Sequence, residues 1–142
     1  MWWDIIQSIV SHFKADDALS FVSKENIKAG IPEGEEAPEE CPAIRVCRGG
    51  ESNLDLLSRG KGDVTILIFC WEESDSQEPE DAYRLLSAME RKVIDSLMAW
   101  LEIAPKELKA KLSFDIPAIA YDGDTFRPTV GSRITLVIKY YK

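Results

Sequence analysis

Val64-Thr65-Ile66-Leu67-Ile68-Phe69-Cys70-Trp71 is the longest apolar run in the chain, interrupted only by one threonine. It is far shorter than the roughly 20 apolar residues that a membrane-spanning helix needs. Its β-branched and aromatic residues favour an extended conformation. Because both alternating sides are apolar, the run reads as a central strand covered on both faces. The rest of the fold is placed around it.

Upstream, residues 43–48 alternate, with Ile44 and Val46 on one side and Arg45 and Cys47 on the other, which predicts a strand with one buried face. Gly49 and Gly50, then Gly60 and Gly62, bracket the segment between these two strands, which reads as a long, mobile hairpin loop. Downstream, residues 74–81 supply turn and capping residues, and Pro79 with its acidic neighbours suits the first turn of a helix. Ala82, Leu85, Leu86, Met89, Val93, Leu97, Trp100 and Leu101 then keep helical spacing as far as Pro105. A helix of roughly 24 residues, about 36 Å long, is expected there, lying across the sheet. Residues 114–121 form a shorter strand, Asp122-Gly123-Asp124 a turn, and residues 133–141 a clean strand with Ile134, Leu136, Ile138 and Tyr140 facing inward.

At the other end of the chain, Ile5, Ile6, Ile9, Val10 and Phe13 form the stripe of an amphipathic helix, and Asp16 and Asp17 cap a further short turn carrying Leu19 and Val22. Lys28, Ala29 and Gly30 break the pattern. Residues 32–42 follow, with Glu33, Glu35, Glu36, Glu39 and Glu40 among prolines, and read as an exposed loop. The element order has no regular βαβ repeat. It predicts an α+β fold, a mostly antiparallel sheet packed by an N-terminal helix and one long helix, as a single domain over residues 1–142.

A chain of 142 residues with 45% hydrophobic and 30% charged residues is long enough for one core. Cys41, Cys47 and Cys70 fit neither a disulfide framework nor a zinc knuckle, and are expected to be reduced thiols. The N-terminus lacks the basic and apolar regions of a secretory signal, so the product is expected in the cytoplasm. Net charge is -8. Residues 1–104 hold 10 Lys/Arg against 21 Asp/Glu, whereas residues 105–142 hold 7 against 4. So acidic a chain repels duplex DNA and is expected to bind no specific nucleic acid sequence. The asymmetry suits head-to-tail contact between copies, with Glu72, Glu73, Asp75 and Glu78 on one side and Lys106, Lys109 and Lys111 on the other.

No constellation of catalytic residues emerges. His12, the only histidine, stands beside the apolar stripe of the first helix and reads as a partly exposed helix residue. Gly60-Lys61-Gly62-Asp63 lacks the spacing and the Ser/Thr of a phosphate loop and reads as a turn. Asp115, Asp122 and Asp124 could together hold a divalent ion, giving a metal-dependent hydrolase as an alternative, although Asp-Gly-Asp is also a good hairpin turn. Trp71 and Trp100 read as core. Trp2 and Trp3 are either packed within the chain or anchors for a partner. Leu54, Leu56 and Leu57, apolar in an otherwise polar connection, together with Arg59 and Lys61 are candidate partner-interface residues.

The N-terminal amphipathic helix, acidic loop, strand, glycine-bracketed loop, apolar strand 64–71, long helix, and closing run Arg127-Pro128-Thr129-Val130-Gly131-Ser132-Arg133-Ile134-Thr135 resemble the tail terminator, or tail completion, proteins of tailed phages and prophages. The resemblance implies a structural virion assembly protein, not an enzyme. It implies a homo-oligomeric ring, usually hexameric, that caps the tail tube and offers a docking surface to the head connector, with no cofactor. Its partners would be itself, the tail tube protein and the head-tail connector protein, with no membrane. It would lie in the host cytoplasm during assembly and afterwards in the virion tail. The alternative of another class is a monomeric protein-binding module.

Overall fold

The computed structural model describes residues 1–30, 38, 40–55, 57, 60–75, 78–122 and 129–142. Two helices pack on one side of a five-stranded mixed sheet of order β1-β2-β3-β5-β4. The elements are α1 (Trp2–Ala15), β1 (Ile27–Ala29), β2 (Ala43–Ser52), β3 (Lys61–Glu73), α2 (Pro79–Leu108), β4 (Lys111–Asp122) and β5 (Thr129–Tyr141). The fold is α+β, with the N-terminal helix and the single long helix where hydrophobic spacing put them.

The apolar run lies within β3, the middle strand, which pairs antiparallel with β2 and β5; β4 pairs antiparallel with β5. The other edge is β1, parallel to β2, with only Ile27 buried. A strand of three residues leaves too little alternation to read, which is why residues 27–29 passed for a break in the helical pattern.

Alternation then decides what each side of the sheet meets. Val64, Ile66, Ile68 and Cys70 of β3 and Ile134, Leu136, Ile138 and Tyr140 of β5 share one core with Ile5, Ile9 and Phe13 of α1 and Leu86, Met89, Val93, Leu97 and Trp100 of α2. The opposite residues of β3, Thr65, Leu67 and Phe69, are half-buried and lie outside this core. The strand expected to be covered on both faces has both helices on one side, and its other side is half-buried.

Helix α1 runs antiparallel to the C-terminal half of α2. The Trp100 indole N–H donates to Ser8 Oγ at 2.9 Å, and Ser8 donates to Glu107 Oε2 at 3.4 Å. After α1, the Asp16 side chain accepts from the Ala18 N–H at 2.9 Å and caps a 3-10 turn, Asp17–Leu19, as its position before Leu19 suggested. The Asp16 carboxyl is held below its ordinary pKa first by the Ser96 hydroxyl, against partial burial, with Ala18 and His12 adding to the effect.

Several boundaries differ from expectation, and β3, β4 and β5 begin early, at Lys61, Lys111 and Thr129. Helix α2 begins at Pro79, where proline's missing N–H and fixed φ are harmless, but passes through Pro105 to Leu108. So near the C-terminus few further bonds depend on that turn, and the helix closes when Lys109 enters the left-handed region at φ 52°. Leu85, expected on the buried stripe, is 42% exposed. Strand β2 continues through Gly49 and Gly50 with a bulge between Arg48 and Gly50, shortening the hairpin loop to residues 53–60. Gly49 belongs in the strand because a Cβ there would stand 2.8 Å from the Thr65 methyl and 3.0 Å from its carbonyl oxygen. The expected loop 32–42 lies mostly outside the described residues, as do Gly123 and Asp124 of the expected turn.

Candidate partner interface

Of the residues singled out as partner contacts, Leu54, Leu57 and Lys61 lie at one end of the sheet. Lys61 opens β3 and pairs with Tyr141, the last residue of β5, which pairs with Lys111, the first residue of β4. The Lys142 N–H donates to the Gly60 carbonyl at 2.6 Å and the Asp55 N–H to the Lys61 carbonyl at 3.1 Å, so the β2–β3 loop sits against the C-terminal strand. The C-terminus of α2 arrives at the same end through Lys109 and Ala110.

Within this end Leu57 is 99% exposed and Leu54 40% exposed. Leu56 and Arg59 lie outside the described residues. Leu54 is seated over Gly62: a Cβ on Gly62 would come within 2.6 Å of Leu54 Cδ2 and 3.0 Å of the Tyr140 hydroxyl. Gly62 thus serves close packing at the entry to β3, and Lys61, Gly62 and Asp63, expected in a turn, already belong to that strand. Replacing Leu54 and Leu57 with serine is expected to lower unfolding free energy by about 2 kcal/mol, nearly all of it from Leu54, which is more than half buried over Gly62, and to leave the protein folded. Denaturant titration checks this, and a larger loss would mean that the leucines belong to the core.

The two N-terminal tryptophans separate. Trp2 is half-buried, packed against the core, with the Arg48 guanidinium 4.4 Å above its ring. Trp3 meets Trp2 edge-on at 6.0 Å and is 48% exposed. It lines an open groove of about 670 Å³ with Gln7, Ser11, His12, Ile103 and Glu107. Trp2 therefore serves intramolecular packing, and Trp3 has the exposure of a partner anchor. In the same groove His12 Nε2 lies 4.0 Å from Asp16 Oδ2, and its side chain is 17% exposed, in line with a partly exposed helix residue.

Charge is uneven along the strands, with Asp63 and Glu107 among the lysines of the loop end and Arg84 among the carboxylates of the other. Lys61, Lys106, Lys109, Lys111 and Lys142 are exposed around the loop end, and none takes part in an ion pair among the described residues. Glu73 closes the opposite end of β3, and Asp75, Glu78 and Glu80 follow it, all exposed. Twelve residue steps along β3 put the two ends about 40 Å apart. Glu72 does not belong to this surface. It is in phase with Val64, Ile66, Ile68 and Cys70, points to the core side and is only 6% exposed. That alternation was the signal that should have removed it from the acidic cluster.

Burial raises the Glu72 pKa, with the Glu73 N–H and Lys92 opposing. Ionisation of Glu72 is therefore penalised in the folded state, a destabilisation present above its folded pKa and relieved as pH falls through it. The Glu72→Gln variant is expected to melt above the wild type at neutral pH, the gap closing under acid. Thermal unfolding across a pH series measures it, and a gap that widens under acid would contradict the assignment.

The three cysteines are free. Burial pushes the Cys41 and Cys47 thiols up to about 11 and Cys70 higher still, so all three are protonated at neutral pH and poorly nucleophilic. The possible metal set is not brought together. Asp115 and Asp122 sit on one strand opposite Val137 and Gly131, about 20 Å apart along β5, and Asp124 lies outside the described residues. In the hydrolase alternative built on these three aspartates, Asp115 therefore stands apart from Asp122. No helix among the described residues is long and apolar enough to cross a membrane. A scan against protein-family models returned no match for this chain, and neither did a search of curated proteins.

Proposed function

We propose that this chain is a structural assembly protein that joins copies of itself head to tail into a closed ring, as its resemblance to tail terminator proteins implies. The observation that carries the reading is the separation of charge: exposed lysines at one end of a rigid sheet and exposed carboxylates at the other. A molecule with unlike ends is suited to heterologous contact, which closes into a ring when the rotation between neighbours allows it. In this role the ring, of six subunits by resemblance, caps the tail tube. The loop residues Leu54 and Leu57, with Trp3, face the tube or the head connector. The protein works by binding, without catalysis or cofactor, first in the host cytoplasm and then in the virion tail.

The test is negative-stain imaging and light scattering of the pure protein, alone and mixed with tail tubes. Rings in solution or rings seated on tube ends are expected. A strict monomer at every concentration, tubes included, would overturn the reading. A monomeric binding module is the second reading, favoured by the exposure of Leu57 and Trp3, which would serve a lone subunit equally well. Gel filtration over a concentration series separates the two.

A further inference from the structure

The helix layer stops short of one edge of the sheet. Helix α1 is tied to α2 through Ser8, Trp100 and Glu107 and lies over β1 and β2, so it fills one flank of α2. Tyr83, Ile94 and Leu101 follow one another at intervals of eleven and seven residues, which return to the same line along a helix. Tyr83 meets Tyr121 of β4 edge-on at 5.9 Å, so that line is the other flank. No helix lies beyond it among the described residues. Tyr83, Met98, Ile119 and Tyr121 are left between 44% and 56% exposed, and β4 is the outermost strand, 12 residues long.

A bulge in β4 decides what can add to this edge. Asp115 stands opposite Val137 and Ala118 opposite Thr135, so Ile116 and Pro117 together take the place opposite Leu136. Before the bulge Leu112 and Phe114 face the helix side, paired with Tyr140 and Ile138; after it Ile119 and Tyr121 do, paired with Ile134 and Ser132. The order of faces from Lys111 to Asp122 therefore reads the same in both directions. A regular strand laid along the whole edge loses phase at the bulge, and Pro117 has no N–H to give it. A second β4 running antiparallel keeps phase throughout, because its own bulge meets the first. Leu112 then falls opposite Tyr121 and Phe114 opposite Ile119, while Lys111 falls opposite Asp122, unlike charges at each end.

We infer that β4 pairs with β4 of a second copy about a twofold axis at the bulge, joining the two five-stranded sheets into one. Tyr83 and Met98 of each α2 cover the seam from the helix side. This isologous contact is separate from the head-to-tail one and does not rest on the ring; the two together would pair one ring with another.

The probe is the full-length protein at about 1 M salt, where exposed charges are screened within about 3 Å and head-to-tail association is weak. Sedimentation velocity is expected to find dimers there. Ile119→Lys brings a charge into the seam twice and should weaken them about a hundredfold, about tenfold for each copy, with circular dichroism unchanged. A disulfide tests the register. Ser113 and Ala120 fall opposite each other across the axis, whereas seven residues of strand hold them about 20 Å apart within one chain. Diamide should link chains carrying both Ser113→Cys and Ala120→Cys into dimers, and should link neither single variant nor the wild type. A monomer at every concentration up to millimolar would overturn the proposal and leave the edge to a strand of another protein. A dimer indifferent to Ile119→Lys, or a single-cysteine variant that links as well as the double one, would overturn it too. Salt-resistant dimers without rings would support this contact and count against the ring alone.

Discussion

Trp100→Ala is expected to remove about 3–5 kcal/mol of folding stability, a large share of the roughly 5–15 kcal/mol that a domain possesses. Trp100 is fully buried and is the largest side chain in the core. Its ring lies where α2 crosses α1, and its indole N–H is the donor to Ser8 that ties the two helices together. Truncation therefore combines a cavity with the loss of the hydrogen bond that the Ser8 hydroxyl accepts, leaving it only its bond to Glu107, and neither helix can close on the gap without breaking the rest of the stripe. Trp100→Phe separates the two contributions: it keeps most of the volume, loses the hydrogen bond and is expected to cost about half as much or less. Trp3→Ala is the control. Its ring is half out of water and it should change stability by less than about 0.5 kcal/mol. Guanidinium unfolding of the three variants gives the order directly, and a Trp100→Ala loss no greater than that of Trp3→Ala would remove Trp100 from the centre of the core.

The position of β3 was legible because eight residues of β-branched and aromatic character have few other homes in a chain this size. What covers its two sides was not. Leu67, Phe69 and Trp71 are as apolar as Ile66 and Ile68, and side-chain polarity alone does not distinguish a helical layer from a surface kept for a partner. The polar residues of that side stand on the neighbouring strands, Arg45 and Arg133, and their place opposite Phe69 depends on pairing register. Glycine misled in a different way. Gly49 and Gly50 resemble a loop entry, yet one fits a close approach to Thr65 and the other a positive φ of 141° within a bulged strand. Pro105 resembled a stop and proved to be the last turn of a helix that continues. For the interface, exposure of Leu57 followed from its polar surroundings, whereas Trp2 and Trp3, adjacent in sequence, take opposite environments because neighbouring helix positions differ by about 100°. Charge bookkeeping showed an acidic bulk and a basic tail, but only the antiparallel path of β3, β4 and β5 sends the two clusters to opposite ends.

That segregation leads to the expected result for assembly. Reversing Lys106, Lys109 and Lys111 to glutamate should weaken self-association more than tenfold. It converts three cations facing carboxylates into three like charges, and each unfavourable pair adds to the loss of a favourable one. All six side chains in play, these lysines with Glu73, Asp75 and Glu80, are exposed, so the change should leave the melting temperature almost unaltered. Reversing Glu73, Asp75 and Glu80 to lysine in the same chain should partly restore association, because the two ends become complementary again with signs exchanged. Arg84 moderates the rescue: it lies 3.8 Å from Glu80 and 3.5 Å from Asp81, and would then face an unwelcome lysine. Salt supplies the second axis of the test. Exposed charges are screened over about 8 Å at physiological ionic strength, so wild-type association should fall as salt rises while the triple-lysine variant, with nothing left to screen, changes little or improves. Light scattering over a grid of concentration and salt reads all three proteins. If the variant assembles like the wild type at low salt, the lysine end is not a subunit contact. If the doubly reversed chain stays as weak as the single reversal, the two clusters do not meet each other.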